Sequence, residues 1–136
     1  MAVSFKAIRE FSFILYEDGS VTGCGRNDLG QLGDGTDQDQ YIATVELDDR
    51  VARLLGTGPA AHSAFFVTTD ELVYGTGSND RGQLGVDDTE DRNVPTRVMF
   101  GVEVLLVSTS AGEDHTLAIG AITGTTPPPA GAPSPL

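Results

Sequence analysis

Apolar residues occur along this chain in short runs that are separated by glycine, asparagine and aspartate. The runs are rich in aromatic, β-branched and leucine side chains and are too short for typical helices. No stretch shows the sustained 3.6-residue periodicity of an amphipathic helix. The predicted strands are residues 11–15, 20–24, 51–55, 63–68, 72–76, 102–107 and 115–119. The pattern therefore predicts an all-β protein.

A glycine-rich segment occurs twice, and the two copies lie 52 residues apart. Residues 23–33 read GCGRNDLGQLG and residues 75–85 read GTGSNDRGQLG, so eight of eleven positions are identical. A weaker similarity places His62 and His115 at corresponding positions of the two copies, 53 residues apart. The predicted structural motif consists of Gly25, Asn27, Gly30, Gln31, Leu32, Gly33, Gly77, Asn79, Gly82, Gln83, Leu84, Gly85, His62 and His115. Glycines at fixed offsets predict backbone positions with positive φ.

The repeat predicts a propeller-type architecture. About four short strands in a unit of about 50 residues is typical of an antiparallel propeller blade. The length of 136 residues divided by 52 gives about 2.6 units, so we expect an incomplete β-propeller. We divide the chain into a repeat region, 1–122, with a partial unit 1–16 and repeats 17–68 and 69–122. Residues 123–136 hold five of the seven prolines and no charge, which predicts a flexible tail.

An incomplete array leaves terminal sheets without neighbours. We expect apolar side chains to be uncovered at both ends: Phe11, Phe13 and Ile14 at one, and Leu117, Ile119 and Ile122 at the other. Self-association, docking on the blades of another propeller, or cover by the tail would each relieve this exposure. The sequence therefore predicts an obligate partner or a homo-oligomer.

Charge excludes several classes of function. Twenty acidic residues against eight basic ones give a net charge of −12. Such a surface repels phosphate, so direct binding to nucleic acid or to anionic membranes is not expected. The single cysteine, Cys24, cannot form an internal disulfide, and we expect it to be a buried or half-buried spacer. No apolar run is long enough for a signal or a membrane span, so we expect an intracellular protein, cytoplasmic or nuclear.

The candidate metal, nucleotide and catalytic residues have simpler explanations. His62 and His115 occupy corresponding places in the repeat and lack companions for a zinc set, which favours a structural role. The segments GCG and GTG lack the third glycine of a dinucleotide fingerprint and any following helix. The acidic loops could bind calcium, but their spacing does not fit a calcium loop, and solvated loops explain them better. We predict no catalytic residue, no metal and no cofactor.

The repeat resembles the regulator of chromosome condensation repeat. The pattern G-x-N-x-x-G-Q-L-G is followed in the second copy by Pro95, Val98, Gly112 and His115. The resemblance covers roughly residues 10–120 and implies blades of a β-propeller, which is typically seven-bladed in this family. Family members include guanine-nucleotide exchange factors of small GTPases and plant ultraviolet sensors that use tryptophans. This chain has no tryptophan, and nothing in it matches residues for those activities.

The leading hypothesis is a non-enzymatic interaction module or scaffold. Residues 26–37 and 78–90 recur on successive blades and would form one acidic, glycine-rich rim that suits a basic protein partner. The candidate partner-binding residues are Asp34, Asp37, Asp39, Asp87, Asp88 and Glu90. Two alternatives remain: a guanine-nucleotide exchange regulator of a small GTPase, and a truncated paralogue without independent function.

Overall fold

Ten antiparallel strands form three sheets in the part of the chain described here. The computed structural model describes residues 1–8, 10–55, 61–99, 104–111 and 115–122. Sheet 1 contains β1 (Ala2–Ile8), β2 (Phe11–Tyr16), β3 (Val21–Gly25) and β4 (Gln40–Thr44). Sheet 2 contains β5 (Val51–Leu54), β6 (Ser63–Thr68), β7 (Val73–Gly77) and β8 (Arg92–Arg97). Sheet 3 contains β9 (Val104–Ala111) and β10 (Thr116–Ile122).

The prediction of an all-β fold is confirmed. Each predicted strand corresponds to a strand of the structure within a few residues. Strands β1, β4 and β8 were not predicted, because each carries polar residues or, in β8, a proline within the run. Sequence unit 17–68 supplies β3 and β4 to sheet 1 and β5 and β6 to sheet 2. One repeat unit therefore ties two neighbouring sheets together.

The first hydrophobic core lies between sheet 1 and sheet 2. Alternate residues of β2 are buried in this core, and Phe13 meets Phe66 of β6 edge to face, with ring centroids 5.2 Å apart. Edge-to-face packing of this kind adds to the gain from burial. The expectation that Phe11 and Phe13 are uncovered is wrong, since only 3% and 2% of their surfaces are exposed.

The open face of sheet 1 is the opposite one. Because side chains alternate along a strand, Phe11 and Phe13 point toward sheet 2 while Ile14 points away and is half-buried. Phe5 of β1 lies directly opposite Ile14 and is 61% exposed. The other three predicted residues, Leu117, Ile119 and Ile122, have side chains outside the described part of the chain.

Strand β6 of sheet 2 is buried on both faces. Every residue of β6 is buried, which is typical of a strand packed on two sides. Ala64 and Phe66 join the core with sheet 1, whereas Phe65 and Val67 join a second cluster with Val73, Leu84 and Val86. Hydrophobic side chains are thus buried on both faces of β6.

The repeat is visible in the backbone as well as in the sequence. Positive φ angles recur 52 residues apart at five pairs of positions. The pairs are Gly19 and Glu71, Gly25 and Gly77, Gly30 and Gly82, Gly33 and Gly85, and Gly35 and Asp87. Glu71 (φ 63°) and Asp87 (φ 72°) keep the left-handed conformation without glycine. The backbone geometry of the blade therefore persists where the residue type changes.

We expect Glu71→Gly to be more stable than Glu71→Ala by about 1 kcal/mol, because alanine retains a Cβ in the left-handed region. Both substitutions remove the exposed ion pair between Glu71 and Arg53, so their difference isolates the backbone term. Urea denaturation of the two variants measures it. Asp70, in the same turn, has no positive φ, and there the order of the glycine and alanine variants should reverse.

Candidate functional site

Two equivalent loops connect the third and fourth strands of sheets 1 and 2. Loop 1 comprises residues 26–39 and loop 2 comprises residues 78–91. Each contains the segment N-D-x-G-Q-L-G of the repeat. Because the flanking strands belong to well-packed sheets, the loops are displayed on a rigid framework.

A buried asparagine organises loop 1. Asn27 is fully buried, and its Oδ1 accepts a hydrogen bond from the backbone N–H of Leu32 at 2.9 Å. Its Nδ2 donates to the carbonyl oxygens of Thr36 and Gln38, both at 3.0 Å, and to Asp34 Oδ1. The amide therefore joins the two limbs of the loop and pairs backbone groups that would otherwise be buried without partners.

The same arrangement recurs in loop 2. Asn79 Oδ1 accepts from the N–H of Leu84 at 3.0 Å, and Nδ2 donates to the carbonyls of Asp88 and Glu90 at 3.0 and 2.9 Å. The buried glutamines of the motif add a second tie. Gln83 Oε1 accepts from the N–H of Arg81 at 2.9 Å, as Gln31 Oε1 does from Leu29 at 2.8 Å.

Some of the predicted partner-binding carboxylates are part of this internal network. Asp34 Oδ1 accepts from Asn27 and Thr36, and Asp39 Oδ1 accepts from the N–H of Asn27 at 2.8 Å. Asp88 Oδ1 accepts from Asn79 and from the N–H of Glu90. These three side chains shape the loops, and their substitution would change loop structure as well as surface charge.

The remaining predicted carboxylates point into solvent. Asp37, Asp87 and Glu90 are all exposed. Within the described ranges, none of their carboxylate oxygens accepts a hydrogen bond from another residue. The charge of these three groups is therefore available at the surface of loops whose shape is fixed by other residues.

Two arginines neutralise part of the loop charge. Arg26 forms ion pairs with Glu10 and Asp28, and Arg92 forms one with Asp88 at 2.6 Å. The Arg26 guanidinium lowers the pKa of the Asp28 carboxyl, and the Arg92 guanidinium, helped by the N–H of Glu90, lowers that of Asp88. Both carboxyls thus stay ionised throughout the neutral range.

Loop 1 also contacts sheet 2. Thr76 Oγ1 donates to the carbonyl of Gly30 at 2.7 Å, and the N–H of Gly35 donates to the carbonyl of Asn93 at 2.8 Å. A Cβ on Gly30 would lie 2.6 Å from Asn93 Cα, so only glycine permits this approach. Loop 1 therefore extends from sheet 1 and also packs against sheet 2.

The other candidate groups are the two histidines and the cysteine. His62 is half-buried and its carbonyl accepts from the N–H of Ser78 at 2.9 Å, while His115 is exposed. Cys24 is exposed, so the expectation of a buried or half-buried spacer is wrong. In the described residues, no group of three His, Cys, Asp or Glu side chains is placed to hold a metal ion. No helix in those ranges is long and apolar enough to cross a membrane.

Comparisons with known proteins agree with the repeat and the fold. Residues 70–119 match the family model of the regulator of chromosome condensation (RCC1) repeat. The probable E3 ubiquitin-protein ligase HERC4 of Homo sapiens is 35% identical over 114 residues, which is 79% of this chain and 10% of that protein. The ultraviolet-B receptor UVR8 of Arabidopsis thaliana is 32% identical over 103 residues, 75% of this chain and 23% of the receptor.

A solved structure shows the same fold at lower identity. The structure of Prp20p from Saccharomyces cerevisiae, described with its binding to Gsp1p and histones, superposes with a TM-score of 0.72 at 19% identity. The match covers 91% of this chain and 32% of Prp20p. The chain therefore spans about a third of that protein and a tenth of HERC4.

Replacing the buried amide of loop 2 by a carboxylate tests the network. In Asn79→Asp a negative group would face the carbonyls of Asp88 and Glu90, and we expect a loss of about 2–4 kcal/mol in the free energy of unfolding. Chemical denaturation measures the loss. Gln38→Glu makes the same amide-to-acid change at an exposed site and should cost less than about 0.5 kcal/mol. Equally small losses in the two variants would show that the Asn79 network does not contribute to the stability of the fold.

The ion pair in loop 2 predicts a pH dependence. The pKa of Asp88 is lowered in the folded state, so its pair with Arg92 stabilises the protein above the unfolded pKa of about 4. This contribution is lost as the pH falls through the lowered folded pKa. In Arg92→Gln, carboxyl NMR titration should show a raised pKa for Asp88 and an unchanged pKa for Asp28. An unchanged pKa for Asp88 would contradict the assignment.

Proposed function

This chain is built from repeats of the regulator of chromosome condensation family, and on that premise we propose that it is a non-enzymatic interaction module that binds a protein with a basic surface. The proposed contact surface is the acidic rim, defined as the exposed carboxylates Asp37, Asp87 and Glu90 of the two loops. The observation that carries this proposal is that these carboxylates are exposed on loops held rigid by Asn27 and Asn79.

Rigidity and charge both favour recognition of a protein. Loops that are already ordered lose little conformational entropy on binding, so their contacts contribute more fully to affinity. The net charge of −12 attracts a basic partner over distance and raises its association rate. Opposite charges on rim and partner would also select against acidic proteins, which share the sign of this surface.

The relatives support this kind of function only in general terms. Histones are basic proteins, and Prp20p is described as binding them. At 19% identity the likeness to Prp20p extends to the fold alone, so its partners are not transferred to this chain. HERC4 matches over a tenth of its length, and its ligase activity belongs to the whole protein.

Nucleotide exchange on a small GTPase is the competing function, and no residue in the described part of the chain favours it. The measurement that separates the two is the release of labelled GDP from a panel of GTPases. Accelerated release would replace the interaction-module proposal, whereas an unchanged rate would leave the rim as the functional surface.

Neutralising the acidic rim should weaken binding to a lysine-rich peptide. We expect the triple variant Asp37→Asn, Asp87→Asn, Glu90→Gln to bind about tenfold more weakly at low salt, a change of about 1.4 kcal/mol. Calorimetry or fluorescence anisotropy with the labelled peptide measures this. The weakening should fade as salt rises, because these charges are exposed and screened.

A matched control variant separates the rim from net charge. Glu17→Gln, Asp48→Asn and Asp70→Asn remove the same three charges at exposed positions outside the loops. This control should bind the peptide nearly as well as the unchanged chain. Equal weakening in both triple variants would show that total charge, and not the rim, attracts the peptide.

A further inference from the structure

An open groove lies on the face of sheet 1 that points away from sheet 2. Its volume is about 790 Å³, and its lining includes Cys24, Gly25, Arg26, Gln40 and Tyr41. Tyr41 is 98% exposed and the adjacent Ile42 is 78% exposed. Large apolar side chains that lie next to each other and are this exposed are typical of an interaction site.

The repeat shows what occupies the corresponding place on sheet 2. Adding 52 to the positions of Cys24, Gly25 and Tyr41 gives Thr76, Gly77 and Asn93. Residues 30–35 of loop 1 lie against these three. Thr76 Oγ1 bonds to the Gly30 carbonyl, Asn93 exchanges hydrogen bonds with Gly35, and a Cβ on Gly77 would approach Gln31 Cα.

Two pairs of corresponding residues differ in burial between the two sheets. Thr76 and Phe66 are completely buried on sheet 2. On sheet 1 the corresponding Cys24 is exposed and Ile14 is only half-buried. The groove is thus the place that a glycine-rich loop fills one blade further along the chain.

The chain carries a second loop with the required shape. Gly30 and Gly33 of loop 1 are buried, whereas Gly82 and Gly85 of loop 2 are exposed. Among the described residues, a Cβ on Gly82 would meet nothing closer than the Asp88 carbonyl at 4.0 Å. Loop 2 nevertheless has the same positive φ angles as loop 1, including Asp87 in the place of Gly35.

We propose that the groove of sheet 1 is a docking site for loop 2 of a second copy of this chain. Residues 82–87 of one molecule would lie against Cys24 and Tyr41 of the next, as residues 30–35 lie against Thr76 and Asn93 within one molecule. The contact is heterologous, so each molecule offers one groove and one loop. It shares Asp87 with the acidic rim, through the backbone of that residue, but Asp37 and Glu90 lie outside it, and it does not depend on a basic partner.

One of the three hydrogen bonds in the template joins two backbone groups, whereas the other two use the side chains of Thr76 and Asn93. The N–H of residue 35 bonds to the carbonyl of residue 93, so Asp87 and Tyr41 could form the same bond. Cys24 offers a weaker donor than Thr76, and Tyr41 offers a larger apolar surface than Asn93. The net charge of −12 opposes association at low salt, so docking should strengthen as salt screens the repulsion.

The native cysteine reports on occupancy of the groove. The measurement is made at a salt concentration that screens the charge repulsion. The rate at which Cys24 reacts with a thiol reagent should fall about tenfold when the protein concentration is high enough to fill about nine-tenths of the grooves. Sedimentation over the same range should show species larger than the monomer. Tyr41→Glu places a charge on a fully exposed side chain, and it should abolish both effects without loss of folding.

Cross-linking identifies which surface enters the groove. Arg81→Cys adds a thiol beside Gly82 at an exposed position, and a short bifunctional thiol reagent should join residue 81 of one molecule to Cys24 of another. Asp70→Cys places the thiol at the far end of β7 and should give no such product with Cys24. Peptide mapping distinguishes these links from those between like positions.

Three results would overturn the proposal. They are a Cys24 rate that does not change with concentration, a chain that remains monomeric, and equal yields of links to Cys24 from positions 70 and 81. A failure of lysine-peptide binding would bear only on the acidic rim, so the two proposals fail separately.

Discussion

The side-chain amide of a single buried asparagine holds each glycine-rich loop in shape. In loop 1 the amide of Asn27 bonds to a backbone N–H on one limb and to two backbone carbonyls on the other. No other side chain of similar size provides a donor and an acceptor at this spacing, since aspartate lacks the donor and leucine lacks both. The loop contains few apolar side chains, so its order depends on these bonds more than on burial.

Order in the loop is what allows the sheets to pack. Gly30 and Gly35 approach the backbone of β8 closely enough that a displaced loop would lose both the contact and the hydrogen bond to Asn93. The hydrophobic core between the same two sheets includes the edge-to-face pair of Phe13 and Phe66. The asparagine network and the core therefore support one another, because each positions the backbone that the other requires.

The sequence predicted the repeat, the all-β fold and most strands, because 52-residue periodicity and β-branched runs are local signals. It did not predict β1, β4 or β8. Polar residues occur in β4 and β8, which pair with β3 and β7 through the backbone ladder. It also assigned Phe11 and Phe13 to the wrong face. Alternation along β2 shows that two faces exist but not which one meets the next sheet.

The same limit applies to the candidate site. Spacing alone could not separate Asp34, Asp39 and Asp88, which bond to the buried asparagines, from Asp37, Asp87 and Glu90, which do not. The distinction follows from the position of each carboxylate relative to the asparagine amide, a property of the folded loop. One motif can thus divide neighbouring acidic residues between structure and recognition. Substitutions of Asp34, Asp39 or Asp88 therefore test the stability of the loops, whereas substitutions of Asp37, Asp87 or Glu90 test binding to a partner.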